Sequence, residues 1–370
     1  MKIGVLTSSR ADYGIYLPLL KKIKKDSFFS LEIIAFGTHL SKFHGYTINN
    51  IIEDDYAKHH KISSLITNDN EQDISTSYAL TALKFADFWS QNKFDLIICL
   101  GDRFEMNAAV QSGIPFGLKF AHIHGGETTL GAIDNIYRHQ ITLASIIHFT
   151  ATKENANKVA KLIGDNKNIY TVGALSLDEI NDYTPIEKNL FYKKFNLKNK
   201  PYVLVTFHPE TISVSKNKEY AKEMRKSLVI IAKKINIVIT MPNADTVGSV
   251  FREEIYELKK NKPEEVTLIE NFGKINYFSA MWYASFLIGN TSSGIIEAAS
   301  FNKFVLNVGD RQKGRTQSDN VIDVAFNKKQ IISKTNSILE KGKYQGSNEY
   351  FKGNASLNIL NKIKEFYEKL

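Results

Sequence analysis

Cysteine is almost absent from the 370-residue sequence, and the single Cys99 excludes an intrachain disulfide. Cys99 lies inside the apolar run DLIICL, so we expect it to be an inert core residue. No run of about 18 apolar residues occurs that could cross a bilayer. The first residues, MKIGVLTSSR, also lack the long apolar region and small-residue cleavage site of a signal peptide. These absences predict a cytoplasmic protein with no membrane partner.

Concentrated positive charge of the kind that binds nucleic acid is missing as well. The net charge is +9, with 48 lysines and arginines against 39 acidic residues, but the basic residues are scattered along the chain, often in short pairs. No zinc-finger spacing, basic helix or RNP-like aromatic run accompanies them. The pattern predicts a lysine-rich solvated surface and no nucleic-acid partner. The positive field would also favour a phosphorylated small ligand.

Short apolar runs alternate with helical patterns along the whole chain. The runs are KIGVL, LEIIAF, DLIICL, LKFAHI and IIHFTA in the first half, and YVLVTFHP, INIVITMP, VTLIENF, ASFLIGN and KFVLNVGD in the second. Such continuous apolar strands, separated by helices, are typical of parallel sheets covered on both faces. We therefore expect an α/β protein with two Rossmann-like, doubly wound domains facing a cleft, at residues 1–178 and 179–370. The last amphipathic helix is a candidate to pack back on the first domain.

Polar residues at strand ends carry most weight, because open α/β sheets bind ligands outside the carboxyl ends of their strands. Arg10 follows the first strand at a helix start, where an anion would be favoured. Asp102 directly follows DLIICL, and its neighbour Arg103 is the candidate partner for its charge. Neither a G-x-G-x-x-G motif nor a Walker lysine loop is present, which disfavours dinucleotide and P-loop binding.

The segment HIHGGETTLGAID combines two histidines, a diglycine and two carboxylates. The glycines would let the backbone approach a ligand closely. Glu127 and Asp134 would converge with Asp102 on one site, and crowded carboxylates can divide acid and base roles. No set of further ligands with the usual metal-site spacing accompanies the two histidines. We therefore expect acid–base chemistry in this segment and no metal.

The second half of the chain carries residues suited to phosphate and sugar. In FLIGNTSSGIIEA, a strand stops at a glycine, and Ser292 and Ser293 then begin a helix whose hydroxyls and N–H groups could cradle a phosphate. Glu297, one turn further, could accept hydrogen bonds from two vicinal sugar hydroxyls. The remaining candidates at strand ends in this half are His208, Asn243 and Arg311.

The motifs SRADYG, LGDRFE, HIHGGE, FHPET, GNTSSGIIEA and NVGDRQKGR, in this order, resemble the hydrolysing UDP-N-acetylglucosamine 2-epimerases of bacterial sialic-acid synthesis. The resemblance spans nearly the whole chain and implies a GT-B architecture. It also implies conversion of UDP-N-acetylglucosamine and water to N-acetylmannosamine and UDP through a 2-acetamidoglucal intermediate, without a cofactor. Relatives are often homodimers or homotetramers, so we expect a homo-oligomer.

The resemblance assigns the candidate residues to two tasks. The acid–base work falls to Asp102, His124, Glu127 and Asp134, with their individual roles undivided. Binding of the UDP-sugar substrate falls to Arg10, Arg103, His208, Asn243, Ser292, Ser293, Glu297 and Arg311. Several relatives carry a glutamate where this chain has His124. Either His124 or Glu127 would therefore take the part of that glutamate.

Other hypotheses stay open beside this one. The same chemistry could act on nucleotide-linked N,N'-diacetylbacillosamine for legionaminic-acid synthesis, although such relatives often have HIEGGEISGTIDD where this chain has HIHGGETTLGAIDN. A GT-B glycosyltransferase would share the fold but would need an acceptor surface. A non-hydrolysing epimerase would carry a different loop in place of GGE. A non-catalytic binder would gain nothing from three carboxylates near a diphosphate.

Overall fold

The computed structural model describes residues 1–56, 58–67, 70–130, 133–210, 214–242 and 248–368. The chain divides into two compact units, each with its own sheet. The first consists of Met1–Glu127, Asp134–Glu179 and Tyr350–Leu370, and the second of Thr128–Ile133 and Ile180–Glu349. Both sheets are parallel and flanked by helices. This confirms the expected α/β fold class with two Rossmann-like domains.

The sheet of the first unit has the order β3-β2-β1-β4-β5-β6-β7 in the described residues. Its strands are β1 (Lys2–Thr7), β2 (Ser30–Phe36), β3 (His59–Ile62), β4 (Leu96–Leu100), β5 (Phe120–Ile123), β6 (Ile147–Thr150) and β7 (Ile169–Thr171). The strand order reverses between β1 and β4, which is the position where doubly wound sheets bind ligands. The loops after β1, β4 and β5 therefore lie at adjacent strand ends.

The sheet of the second unit has the order β10-β9-β8-β11-β12-β13 in the described residues. Its strands are β8 (Tyr202–Thr206), β9 (Asn236–Thr240), β10 (Val266–Ile269), β11 (Leu287–Gly289), β12 (Val305–Val308) and β13 (Val321–Val324). Here the order reverses between β8 and β11. The loops after β8, β11 and β12 are the neighbours at this switch point.

Helices connect the strands and cover the sheets. They are α1 (Arg10–Lys25), α2 (Ile48–Glu53), α3 (Glu71–Gln91), α4 (Phe104–Gly113), α5 (Asp134–Ala144), α6 (Lys153–Ile163), α7 (Lys188–Lys194), α8 (Asn217–Ile231), α9 (Gly248–Asn261), α10 (Gly273–Tyr283), α11 (Ser292–Ile296), α12 (Lys328–Lys341) and α13 (Ala355–Tyr367). Helix α13 packs against α1 within the first unit, where Lys364 Nζ lies 2.6 Å from Asp26 Oδ2. Within the described ranges, no helix is long and apolar enough to span a membrane.

The apolar runs of the sequence form the cores of the two units. Strand β4 is buried at every position, and its Cys99 is completely buried. Burial raises the pKa of the Cys99 thiol to about 12, so the thiolate that would react is disfavoured near neutral pH. The expectation of an inert core cysteine is confirmed.

Candidate functional site

A buried carboxylate shapes the loop after β1. Asp12 accepts hydrogen bonds from the N–H groups of Ser8 and Ser9, both at 2.8 Å. Together with the Ser9 side chain this forms a capping box that starts α1 at Arg10. The Arg10 side chain is exposed there. Fully buried His39 has its ring nitrogens within hydrogen-bond distance of the hydroxyls of Thr7 and Thr47, and burial lowers the pKa of His39.

Asp102, after β4, forms an ion pair with Arg138 of α5. The Arg138 guanidinium is almost completely buried and also donates a hydrogen bond to the backbone carbonyl of Glu127. Arg103 instead donates to Glu105, with 2.8 Å between Nη2 and Oε1. The expectation that Arg103 is the partner of Asp102 is therefore wrong. Arg103 precedes the first turn of α4, and its side chain reaches forward to the buried carboxylate in that turn.

His124 and Glu127 form a pair in the loop after β5. His124 Nδ1 lies 2.7 Å from Glu127 Oε1, and the two side chains are only 10% and 3% exposed. His124 Nε2 is buried and has no hydrogen-bond partner among the described residues. A buried polar atom without a partner costs about 1–3 kcal/mol of folding free energy. A ligand that hydrogen-bonds Nε2 would remove that cost.

The diglycine of this loop has a packing role. Gly126 has a φ of +76°, and a Cβ there would lie 2.2 Å from the carbonyl oxygen of Asn155 in α6. Such a contact is far inside van der Waals distance, so only glycine lets the loop pack on α6 in this way. The sequence predicts that the glycines let the backbone approach a ligand. The structure shows that Gly126 lets the loop pack closely on α6.

Asp134 begins α5 and titrates differently from an ordinary aspartate. Burial raises the pKa of Asp134 to about 6, and the negative charge of Asp102 acts in the same direction. A carboxyl with this pKa retains a proton in mildly acidic solution and can donate it. The structure thus brings the sequence-predicted Asp102, His124, Glu127 and Asp134 together in the first unit, at the ends of β4 and β5 and the start of α5.

Asn290 organises the corresponding strand ends in the second unit. Its fully buried side chain accepts from the N–H of His208 at 2.8 Å and donates to the carbonyl of His208 at 2.9 Å. The Asn290 carbonyl accepts from Arg311 Nη1 at 3.1 Å and from Gln312 Nε2 at 3.0 Å. One asparagine therefore fixes both His208 and Arg311 at neighbouring strand ends.

The segment after β11 forms a short helical turn. Thr291 caps α11 by accepting from the N–H of Gly294 at 3.1 Å. Ser292 is exposed at the first residue of the turn, and Glu297 is buried at its end. Tyr277 lines a small cavity together with Thr291 and Gly294 of this turn, and burial raises the pKa of Tyr277. The remaining candidate, Asn243, lies outside the described residues.

The sequence patterns assign no role to two residues that hold site residues in place, Arg138 and Asn290, or to Tyr277, which lines a cavity beside Thr291. Arg138 was visible in YRHQ beyond Asp134, but nothing local indicated that it would reach back to Asp102. Asn290 belongs to the GNTSSG motif, whose hydroxyls are the groups that indicate phosphate binding. Tyr277 belongs to α10, away from any strand end, and the sequence carried no signal for it. Among the described residues, no group of three His, Cys, Asp or Glu could hold a metal ion.

Comparisons with known proteins place these units in a family. Residues 21–364 match the family model of UDP-N-acetylglucosamine 2-epimerases. The chain is 32% identical to a hydrolysing UDP-N,N'-diacetylbacillosamine 2-epimerase of Legionella pneumophila, covering 98% of this chain and 95% of that protein. It is 31% identical to polysialic acid biosynthesis protein P7 of Escherichia coli, covering 99% of this chain and 94% of that protein.

The fold agrees with solved structures. A Neisseria meningitidis UDP-GlcNAc 2-epimerase, solved with UDP-GlcNAc, superposes with a TM-score of 0.81 at 17% identity, over 99% of this chain and 100% of that chain. This similarity confirms the GT-B type of fold with two Rossmann-like domains. Because the family match covers most of the sequence, the chain belongs to the UDP-N-acetylglucosamine 2-epimerase family.

Proposed function

We propose that the protein is a hydrolysing 2-epimerase that converts UDP-N-acetylglucosamine and water to N-acetylmannosamine and UDP for sialic-acid synthesis. The observation that carries this proposal is the connected set of acid–base groups in the first unit. Asp102 pairs with Arg138, Arg138 donates to the backbone carbonyl of Glu127, and the Glu127 side chain pairs with His124. Such a set suits a reaction that moves protons at one carbon of a sugar.

The reaction needs a base and an acid with different proton affinities. The proton on C2 leaves and UDP departs from C1, which gives 2-acetamidoglucal. Water then adds at C1 while C2 receives a proton on the opposite face. Burial raises the pKa of Asp134 to about 6, which suits Asp134 to the acid role, and the base role falls to another member of the set.

Residues that favour an anion or a ribose would bind the rest of the substrate. Positively charged or polar groups stabilise the diphosphate as it leaves with additional negative charge. We assign this task to Arg10, Arg103, His208, Ser292, Ser293 and Arg311, with Glu297 on the ribose hydroxyls and Asn243 on the nucleotide side. In the second unit, the hydrogen bonds of Asn290 to His208 and Arg311 support this assignment, because they hold both residues at adjacent strand ends.

Nucleotide-linked N,N'-diacetylbacillosamine is the second candidate substrate. The 32% identity to the Legionella enzyme favours it. The loop HIHGGETTLGAIDN, which differs from the HIEGGEISGTIDD common in such enzymes, favours UDP-N-acetylglucosamine. Both sugars would undergo the same elimination and addition at C1 and C2, so they differ only in their substituents at C4 and C6.

A side-by-side assay of the two nucleotide sugars tests the proposal. We expect release of UDP and formation of N-acetylmannosamine, with a higher kcat/KM for UDP-N-acetylglucosamine. A higher kcat/KM for the diacetylbacillosamine nucleotide would identify that nucleotide sugar as the substrate. Turnover that begins only after a sugar acceptor is added would instead identify a glycosyltransferase.

A further inference from the structure

Nε2 of His124 is buried and has no hydrogen-bond partner in the described part of the chain. The opposite nitrogen, Nδ1, is held 2.7 Å from Glu127 Oε1. An imidazole fixed through one nitrogen, with the other left for a ligand, is the arrangement used by general bases that are oriented by a carboxylate. His124 follows β5, and Asp102 follows the neighbouring strand β4 of the same sheet.

Glu127 determines which nitrogen of a neutral His124 carries the proton. An ionised carboxylate only accepts hydrogen bonds, so the proton of the neutral ring must be on Nδ1. Nε2 then carries a lone pair and can accept a proton. By accepting a hydrogen bond from Nδ1, Glu127 therefore leaves Nε2 of His124 as the basic nitrogen.

We infer that His124 removes the proton from C2 of the sugar through Nε2, and that Glu127 is a positioning residue that acts only through His124. This inference rests on the proposed function and divides the roles within it. Glu127 is less suited to remove the proton, because one of its carboxylate oxygens is already engaged with Nδ1 of His124.

The C2–H bond breaks, its proton moves to Nε2, and its electron pair forms the C1=C2 double bond. The bond from C1 to the UDP oxygen breaks, and its electron pair stays on the diphosphate. In the addition, the double bond takes a proton at C2, the water oxygen bonds to C1, and a water proton replaces the one given to C2. The imidazolium finally releases its proton to solvent.

Asp134 supplies the proton in the addition. It is the first residue of α5, and Arg138, one turn further along that helix, pairs with Asp102. Burial raises the pKa of Asp134 to about 6, so its protonated form is available under conditions in which an ordinary aspartate is ionised. The carboxylate left after the transfer takes the proton of the attacking water.

The decisive variant is His124→Asn, with both half-reactions measured separately. His124 has a φ of +67°, a conformation that asparagine tolerates, so the backbone should keep its course. UDP release from UDP-N-acetylglucosamine should fall by about 10²–10⁴-fold, the usual contribution of a general base. Hydration of added 2-acetamidoglucal in the presence of UDP should stay close to the wild-type rate, since that half-reaction uses the acid.

His60→Asn is the matched control. His60 Nε2 also lies 2.7 Å from a glutamate, Glu32 Oε2, but on the edge strands β3 and β2. Losing this pair should leave UDP release unchanged. A second test uses His124→Gly, because glycine accepts the same positive φ. Free imidazole added to this variant should restore part of the lost UDP release.

The role of Glu127 is tested by non-additivity. Glu127→Gln alone should slow UDP release, since an amide no longer dictates the proton position on His124. The double variant His124→Asn with Glu127→Gln should be no slower than His124→Asn, because Glu127 acts only through the histidine. If Glu127→Gln slowed UDP release by the same factor in the His124→Asn background as in the wild-type protein, Glu127 would contact the substrate itself.

Other results would overturn the assignment of His124. These are UDP release by His124→Asn at a near wild-type rate, equal losses in the two half-reactions, or no imidazole rescue of a folded His124→Gly protein that still binds UDP. Failure of the proposed function itself looks different. In that case the wild-type protein would release no UDP from either nucleotide sugar.

Discussion

Replacing Gly126 by alanine perturbs the loop that carries His124 and Glu127 without touching either side chain. The added Cβ would lie 2.2 Å from the carbonyl oxygen of Asn155 and 3.0 Å from Cγ2 of Val159. The nearest of these is a backbone atom of α6, which cannot rotate away. The loop or the helix must therefore shift to accommodate the methyl group.

Two terms contribute to the loss of stability. The left-handed conformation of Gly126 costs an L-amino acid about 1–2 kcal/mol. Overpacking against a fixed backbone costs about 1–3 kcal/mol more. We therefore expect Gly126→Ala to lower the free energy of unfolding by about 3 kcal/mol. Gly117, with a φ of +67° and no described atom within 4 Å of a built Cβ, is the matched control, and only the first term applies there.

Urea unfolding and turnover of the two variants measure these effects. Gly117→Ala should lose about 1 kcal/mol and keep its turnover, because only its backbone conformation is unfavourable. Gly126→Ala should lose more stability and also about 10²-fold in kcat, since displacement of catalytic groups by about 1 Å has effects of that size. Equal stability losses in the two variants would refute the argument that close packing of the loop on α6 requires the glycine.

Three further predictions concern buried polar groups. Arg138→Met should lower the free energy of unfolding by about 2–3 kcal/mol in urea titrations, because it leaves Asp102 without its ion-pair partner; an unchanged midpoint would contradict this. Asn290→Ala should weaken UDP binding in calorimetry, because the backbone of His208 loses both hydrogen bonds; unchanged affinity would remove Asn290 from the site. Burial lowers the pKa of His148 to about 4, so the unfolded chain binds a proton there that the folded chain excludes between pH 6.5 and about 4. Through this residue, the free energy of unfolding should fall on acidification by up to about 1.4 kcal/mol per pH unit. His148→Gln should therefore make the free energy of unfolding less dependent on pH, and an unchanged dependence would contradict this.

The strands that sequence patterns predicted are those with continuous apolar runs. Strands β3, β7 and β13 were missed, and each lies at an edge of its sheet. Their residues are mostly half-buried or exposed, because an edge strand is covered less completely than a central one. HHKI, IYT and VIDV therefore lack the unbroken apolar signal that revealed the inner strands. The apolar runs identified the inner strands and the edge strand β10, and missed the other three edge strands.

The candidate site shows a similar limit. The strand-end rule predicted that Asp102 and the segment after β5 lie at one edge of a sheet, and β4 and β5 are paired neighbours in a parallel sheet. The choice of ion-pair partners could not be predicted in this way. Arg103 is adjacent to Asp102 in sequence, yet Arg138, 36 residues away, forms the pair because α5 directs it back to the end of β4. Partners of charged groups depend on helix placement, which one sequence does not specify.

Turnover of UDP-N-acetylglucosamine in D₂O, followed by NMR, tests the central claim most directly. Elimination and addition at C1 and C2 predict N-acetylmannosamine with one deuterium at C2, together with free UDP. The deuterium arises because the proton restored to C2 comes from an acid that exchanges with solvent. Free UDP accompanied by N-acetylglucosamine that retains its C2 proton would contradict the account.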